Sequence, residues 1–535
     1  MGDFNVQDLS QNFGAWFLPW IPLMFQIPSG ANDVLSFFFT IGSPALAAYS
    51  LQITHLNTRW IAAEFSDVKY PNSQYMPAVL SAFHHIPIQI SHHPPFLHSL
   101  IVLPQNDDFW RHLFATANKI RRWPISLFMG LILAIIALVL TIIDSFNSPN
   151  SSGDIGYAIA ATWIFLFPLV TGWLHVGCEP EPNHLKDSLE AANLKAWVAT
   201  DQGEQPAKDP PAIDFMKAED VGLARKDELF VAPLFNYARA FVSPLVAEHV
   251  LELVKNAAAN AEQKISVGSP TWVEDERGAI ADVNRIGTRA EVTEYCTRIF
   301  NTNSTSTIAL DNQSPGVTSA TQSPLPVHDP RLVTQYPSPW ARGIWKRVAI
   351  ATALALWLQW WTVGAAVYIH YRSSPVGLGC RAISFLLYAV AGTMSFLLLL
   401  ASSILAHMSR PHQGRIYAPL WLRTCQSAGA FVCQWLGKGI AIISAFGILL
   451  VCSFQVTGAF DNCFCASTTF DKGTGPVLIL TINYWIEHST RMVWIHGLAM
   501  AFTTTFLFYC SIFDRGIQKF FQRSFLGFHR LMVHE

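Results

Sequence analysis

Long uncharged runs alternate with polar, charge-bearing segments along the chain. Seven of these runs have the length of a membrane-spanning helix, which needs about 20 mostly apolar residues. The clearest is ISLFMGLILAIIALVLTII at 125–143, which has no charge and no proline. We predict an all-α fold, a polytopic transmembrane helical bundle of about seven spans. They are placed near 34–54, 124–143, 155–176, 347–370, 382–406, 434–457 and 490–513.

The first run contains Gly42 and Pro44. Proline inside a helix removes a backbone donor and clashes with the preceding turn, and membrane helices tolerate it where neighbours satisfy the freed groups. We therefore expect a kink in this span.

Composition supports this fold class. Hydrophobic residues make up 51% of the chain and charged residues 13%, whereas soluble domains carry about 25% charged residues. The formal net charge of −2 gives no basis for nucleic-acid binding. The lipid bilayer is the partner that the sequence predicts.

Lysine and arginine are unevenly distributed between the segments that join the spans. Thirteen lie on one side of a seven-span topology and three on the other. The basic side comprises 57–123, 407–433 and 514–535. Because basic loops stay in the cytosol, we predict an outside N-terminus and a cytosolic C-terminus, in the plasma membrane or an endomembrane.

This topology divides the chain into five parts, which contain a small helical cytosolic segment between two groups of spans. They are an extracytosolic N-terminal segment with an interfacial stretch at 1–33; three spans with a histidine-rich cytosolic loop, 57–123, at 34–176; a partly helical cytosolic region at 177–346; four spans at 347–513; and a cytosolic tail at 514–535.

Within the cytosolic region, apolar spacing predicts helices over 184–199 and 229–263, the second interrupted at Pro244. Residues 301–339 are rich in Asn, Ser, Thr, Pro and Gln, a composition typical of a disordered linker.

The tail at 514–535 has an amphipathic pattern. Phenylalanines recur at spacings of three and four, and basic residues lie mostly off that stripe. We expect this tail to form a helix that lies on the anionic cytosolic leaflet. Docking of the same apolar face on the cytosolic region is the alternative.

Six histidines lie in the loop 57–123. They are His84, His85, His92, His93, His98 and His112. Membrane di-iron enzymes need fixed helical spacings between histidines, and here two pairs are separated by six residues and followed by Pro94 and Pro95. A polar loop is the simpler interpretation, and a metal site is the alternative.

Three cysteines fall in the predicted outer loops. An oxidising compartment favours a disulfide between Cys380 and either Cys463 or Cys465, with free or zinc-bound thiols as the alternative. Asn150 is the glycosylation candidate among the sequons, because it is the one predicted to lie outside.

Motifs of known enzymes are absent from the sequence. The predicted spans contain no Asp or Glu, and there is no P-loop, dinucleotide fingerprint, nucleophile elbow or zinc-protease helix. We predict no catalytic residue and no cofactor.

Six distinctive runs are spread over most of the chain: TIGSPALAAYSLQITHLNTRW (40–60), LIVLPQNDDFWRHL (100–113), PLFNYARAF (233–241), LQWWTVGAA (358–366), PVGLGCRAISFLLYAVAGT (375–393) and FDNCFC (460–465). These runs resemble a family of uncharacterised integral membrane proteins from filamentous fungi. The resemblance implies a multi-span fungal membrane protein and assigns no functional residue.

Three functions remain open at this point. The first is a non-enzymatic sensor, scaffold or assembly factor, favoured by the bare membrane core. The second is a transporter or channel for an uncharged or lipid-like substrate. The third is a membrane enzyme that uses a metal bound by the cytosolic histidines.

Overall fold

The computed structural model is mostly helical and combines a bundle of long apolar helices with an extramembrane domain at one end. It describes residues 18–25, 33–90, 94–117, 125–147, 153–176, 182–207, 212–216, 221–274, 280–297, 339–373, 377–410, 419–457, 459–460, 465 and 484–513. The tail at 514–535, all but the last residue of the predicted linker 301–339, Asn150, Cys463, His92 and His93 lie outside these residues.

The first third of the chain supplies nine helices within the described ranges. They are α1, Ile21–Phe25; α2, Asp33–Gly42; α3, Pro44–Phe65; α4, Met76–Ala82; α5, Pro94–Val102; α6, Asp107–Ala117; α7, Ile125–Asn147; α8, Gly153–Trp163; and α9, Leu166–Val176. Strand β1, Ile88–Ile90, precedes α5.

The middle of the chain has shorter elements. Its helices are α10, Pro182–Asn193; α11, Asn236–Arg239; α12, Val242–Glu262; and α13, Arg289–Thr297. Its strands are β2, Trp197–Thr200; β3, Gly203–Pro206; and β4, Ile213–Phe215. Four long helices follow: α14, Ile344–Arg372; α15, Cys380–Met408; α16, Leu420–Val456; and α17, Tyr484–Phe513.

Five helical stretches of the described chain are long and apolar enough to cross a membrane. They are Ile155–Val176, Ile344–Arg372, Cys380–Met408, Leu420–Val456 and Arg491–Phe513. Helices α2 and α3 make a sixth if they are taken as one broken span. The run near 124–143 forms α7, whose apolar section Phe128–Leu140 is shorter than a span. The described residues thus support five or six spans, and the seventh stays a prediction.

The centre of the bundle is filled by packed side chains. Tyr49, Trp163 and Phe396 are fully buried, and the rings of Tyr49 and Phe396 lie 5.3 Å apart. Large apolar side chains such as Leu387 and Ile443 are exposed on the outer faces of α15 and α16. A buried core together with an exposed apolar surface is the pattern expected of helices packed within lipid.

The extramembrane domain is built from both sequence regions that were expected to lie in the cytosol. Its core joins side chains of 61–117, such as Ile101, to side chains of 185–296, such as Val250. Strand β1 pairs antiparallel with β4, so that Ile88 faces Phe215 and Ile90 faces Ile213. The described residues of 61–117 are therefore part of a folded domain rather than a separate polar loop.

A partly buried ion pair also connects the two halves of the domain. Arg285 donates to Oδ1 of Asp107 at 2.6 Å and to Oδ2 at 2.9 Å, and it donates to the carbonyl of Val102 at 2.8 Å. A bidentate guanidinium–carboxylate contact fixes geometry as well as charge. The domain lies at the end of the bundle where α3 ends, α14 begins and α15 ends.

Candidate functional site at the junction of bundle and domain

A segment of the domain enters the bundle between its helices. This inserted segment, residues 223–241, consists of two short 3-10 turns, Leu223–Leu229 and Pro233–Phe235, followed by α11. Leu234, Phe235 and Tyr237 are buried and belong to the bundle core. The ring of Phe235 lies 6.0 Å from that of Phe39 in α2. The inserted segment thus reaches the middle of the bundle.

Side chains of the bundle helices donate hydrogen bonds to backbone carbonyls of the inserted segment. Ser50 of α3 donates to the carbonyl of Leu234 at 2.6 Å, and Ser403 of α15 donates to the carbonyl of Tyr237 at 2.9 Å. Irregular backbone inside a bundle needs such donors, because an unpaired buried carbonyl is destabilising.

Glu228 of the inserted segment is bound by two arginines. Arg225 lies 3.0 Å from its carboxylate, and Arg410, just beyond the end of α15, contacts the same oxygen. Burial by itself raises the pKa of Glu228, but the charges of Arg410 and Arg225 hold it below its usual range. Glu228 is therefore ionised at neutral pH.

Asp227 makes the second connection to the bundle. Its carboxylate binds the ammonium group of Lys438 in α16 and accepts a hydrogen bond from the hydroxyl of Tyr237. The ammonium group of Lys438 also lies 5.5 Å from the centre of the Phe230 ring. Adjacent carboxylates of the inserted segment thus bind α16 and the end of α15.

Arg239 is buried and is held by oxygen atoms without charge. Its guanidinium donates to the carbonyl of His84 at 3.1 Å, to the carbonyl of Glu228 at 3.0 Å and to Oδ1 of Asn236 at 2.7 Å. Among the described residues no carboxylate lies within salt-bridge distance of it. Burial lowers the pKa of Arg239 to about 10, so it remains a cation at neutral pH.

Two of the predicted loop histidines lie at the same junction, His84 fully buried and His85 partly buried. Nε2 of His84 lies 3.2 Å from Nδ2 of Asn57, and Nδ1 of His85 lies 3.3 Å from Nδ2 of Asn236. Burial lowers the pKa of His85 to about 4, with a smaller effect of Arg239, and burial holds the pKa of His84 well below its usual value. Both are neutral at pH 7.

The other described histidines of that loop lie elsewhere. His98 is buried near His249, and His112 is exposed on α6. Within the described ranges no three His, Cys, Asp or Glu side chains are grouped as a metal site would require. His92 and His93 lie outside the described residues, so a histidine-bound metal stays an alternative from the sequence.

A further contact couples α14 to the domain side. Nε of Arg347 donates to Oδ1 of Asn57 at 2.8 Å, and its guanidinium stacks on the ring of Trp60 at 4.3 Å. Arg342, which precedes α14, forms an ion pair with Glu248 of α12 at 2.9 Å. The domain is thus attached at α14 as well as at α15 and α16.

A small recess opens beside the inserted segment. It is lined mainly by apolar side chains such as Phe83 and Met216, together with Glu228, Arg239 and Ser243. The centre of a water molecule can occupy about 10 Å³ of this recess. The recess therefore has room for about one water molecule and is too small for an organic ligand.

The predicted kink at Gly42 and Pro44 is confirmed and is a sharp break. Helices α2 and α3 meet at 105°. The first free amide of α3, that of Ala45, donates to Oε1 of Gln359 at 2.9 Å, and the hydroxyl of Ser43 donates to the carbonyl of Gly392 at 2.7 Å. The neighbouring helices α14 and α15 thus satisfy the broken backbone.

Glycine is required at this break by close helix packing. A Cβ atom at Gly42 would lie 1.9 Å from the carbonyl oxygen of Ala441 in α16. The break therefore occurs where the backbones of α2 and α16 touch, at mid-length of α14, α15 and α16.

At the opposite end of the bundle, Cys380 and Cys465 lie at disulfide distance, with 4.8 Å between their Cα atoms. This geometry fits one of the two pairings left open by the sequence. Cys463 and Asn150 lie outside the described residues, so the structure places neither.

Sequence reasoning missed the inserted segment. The available signal was its composition, in which the charged run Arg225, Lys226, Asp227, Glu228 precedes the apolar, proline-containing LFVAPLF. No protein-family model matches this chain, and no curated protein or solved structure matches it either.

Proposed function

We propose that this chain is a non-enzymatic integral membrane protein, a sensor in which the bundle and the extramembrane domain change conformation together. The observation that carries this proposal is the inserted segment, whose adjacent carboxylates bind different helices of the bundle. A relative movement of α15 and α16 would displace Arg410 from Lys438, and Asp227 and Glu228 would then be unable to keep both contacts.

Buried ion pairs suit such a coupling. Their desolvation penalty offsets much of their attraction, so they contribute little net stability. Removal of one partner is nevertheless strongly destabilising, because it leaves a buried charge unpaired. An arrangement of this kind favours one packing of bundle and domain over alternatives.

The topology and location belong to the same proposal. We infer a domain on the cytosolic side, an N-terminus outside, a cytosolic tail and a fungal origin, supported by the charge asymmetry and the resemblance described above. A scaffold or assembly role uses the same rigid attachment and differs in requiring no conformational change.

Amide hydrogen exchange on the reconstituted full chain tests the coupling. Arg410→Gln removes one partner of Glu228 on the bundle side, and we expect faster exchange in α12 and in the β2–β3 hairpin, beyond the site itself. Arg423→Gln, which removes a charge from the start of α16, serves as the matched control. Faster exchange confined to 223–241 would favour a passive scaffold over a sensor.

A transporter for an uncharged or lipid-like substrate is the second candidate. The broken helix α2–α3 at mid-bundle favours it, since discontinuous helices form the substrate sites of many transporters. Proteoliposomes carrying a fluorescent phospholipid would show protein-dependent movement between leaflets if this candidate holds. Equal rates in protein-free vesicles would reject lipid transport.

A further inference from the structure

The small recess beside the inserted segment lies where three parts of the molecule meet. Its wall includes Phe83, which precedes β1, and Met216, which follows β4. Glu228 and Arg239 line it from the inserted segment, and Ser243 lines it from the first turn of α12. A molecule bound in this recess would therefore contact the inserted segment and α12 at the same time.

The hydroxyl group of Ser243 is buried without a hydrogen bond to any described residue. Ser243 is 4% exposed, and its Oγ has no donor or acceptor partner in the described part of the chain. A buried hydroxyl without a partner is destabilising, because it has given up its hydrogen bonds to water. Since Ser243 belongs to the wall of the recess, a molecule bound there can supply the partner.

Arg239 has a donor to spare in the same place. A guanidinium group has five N–H groups. Four of them are donated to described oxygen atoms, which are the carbonyls of His84, Glu228 and Phe230 and Oδ1 of Asn236. One N–H group of Nη2 therefore has no acceptor among the described residues, and the recess that Arg239 lines can hold one.

The charges in the wall of the recess favour a neutral ligand. Glu228 is an anion and Arg239 is a cation at neutral pH. The carboxylate opposes a bound anion, and the guanidinium opposes a bound cation. A neutral molecule that accepts from Arg239 and donates to Ser243 or to an oxygen of Glu228 matches all three groups. Water has both capacities and is of the size that the recess admits.

We propose that this recess binds one ordered water molecule, which bridges Ser243 of α12 to Arg239 and Glu228 of the inserted segment. Buried waters of this kind make about three hydrogen bonds and are costly to remove. The bridge connects the inserted segment to α12 without using a residue of the bundle. It requires no movement of the bundle, so it stands apart from the proposed function.

X-ray radiolysis of the purified full chain in lipid nanodiscs tests this site, because a bound water that is split by radiation oxidises the side chain beside it. Phe83 and Phe109 are a matched pair in the core of the domain, at 1% and 2% exposure, and of the two only Phe83 lines the recess. In water enriched in heavy oxygen, we expect Phe83 to incorporate the label and Phe109 to remain unlabelled. Absence of label at Phe83, or equal labelling of both residues, would overturn the proposal.

Variants locate the water. Ser243→Val replaces the hydroxyl by apolar volume, so Phe83 should lose its label, whereas Ser66→Val, at an exposed serine of the domain, should keep it. Ser243→Ala removes the hydroxyl without adding volume, and the loss of one hydrogen bond should lower the labelling of Phe83 about tenfold. Phe109 shows whether each variant is folded, since unfolding would label it as well. Labelling of Phe83 at the level of the unaltered chain in either folded Ser243 variant would refute the bridge.

Discussion

Single residues acquire their properties here from where the fold places them. Six histidines in one loop give a uniform sequence pattern, yet His84 is buried, His85 is partly buried and His112 is exposed. Their separation depends on contacts with Asn57 and Asn236, which are distant in the chain. The sequence could identify the histidine cluster, but it could not distinguish buried from exposed members.

Burial of neutral His85 predicts a pH-dependent stability. Its pKa falls from 6.5 to about 4 on folding, so below pH 6.5 the unfolded chain takes up a proton that the folded chain excludes. Stability is therefore complete above pH 6.5 and decreases as the pH falls towards 4, by about 3 kcal/mol for this group.

The melting temperature measured between pH 7.5 and pH 5 checks this expectation. His85→Asn should flatten part of the decrease, and His112→Asn, at an exposed position, should leave the profile unchanged. An unaltered profile for His85→Asn would contradict the assignment.

The positions of the cysteines in the sequence narrow the disulfide pairing without deciding it. The predicted side of each loop limited the partner of Cys380 to Cys463 or Cys465. The fold then brings Cys465 to disulfide distance from Cys380. A disulfide across 85 residues removes much of the freedom of the unfolded chain.

Replacing Cys380 should therefore lower stability. We expect Cys380→Ser to lose about 2–4 kcal/mol and to show a lower melting temperature under oxidising conditions. Cys425→Ser, at an exposed free cysteine, should not change it. If a reductant lowers the melting temperature of Cys380→Ser as much as that of the unaltered chain, the pairing is wrong.

At the scale of elements, the apolar runs predicted the long helices well, because membrane helices are selected by length and hydrophobicity alone. Prediction was poorer in the domain. The expected helix 184–199 ends at Asn193 and gives way to strand β2. The expected helix 229–263 is divided into the short α11, Asn236–Arg239, and the longer α12, which begins at Val242. Pro244 is accommodated in the first turn of α12, where its missing amide would have no partner in any case. The backbone of residues 223–241 is instead determined by their tertiary contacts with the bundle.

The break at Gly42 provides a matched pair of glycine substitutions. In Gly42→Ala the new Cβ would collide with the backbone of Ala441, and we expect a loss of about 1–3 kcal/mol. Gly447→Ala, on α16 with open space around it, should be neutral or slightly stabilising. Melting temperatures of both variants in nanodiscs measure the difference, and equal values would contradict close packing at the break.

The tail at 514–535 lies outside the described residues and stays a prediction from sequence. A synthetic peptide of this segment should gain helical circular dichroism with anionic vesicles and lose most of the gain in high salt. No change on adding anionic lipid would leave docking or disorder as the alternatives.

At the scale of the whole molecule, the charge asymmetry predicted that 57–123 and 177–346 lie on one side, and the structure packs described residues of both regions into one domain. Their association could not be predicted from the sequence, because the pattern of apolar residues in one region does not indicate which other region packs against it. The domain and the bundle are then connected by the inserted segment, so that Asp227 and Glu228 contact helices more than 180 residues away.

The central claim is that this domain is cytosolic and is connected to a bundle whose N-terminus is outside. Epitope tags test it in sealed vesicles with the extracytosolic face outward. One tag is inserted between Asp201 and Gln202 in the exposed turn of the β2–β3 hairpin, a second between Ser66 and Asp67, and a third at the N-terminus. We expect antibody to bind only the N-terminal tag before permeabilisation and all three tags after it. Binding of either domain tag in intact vesicles would contradict the account.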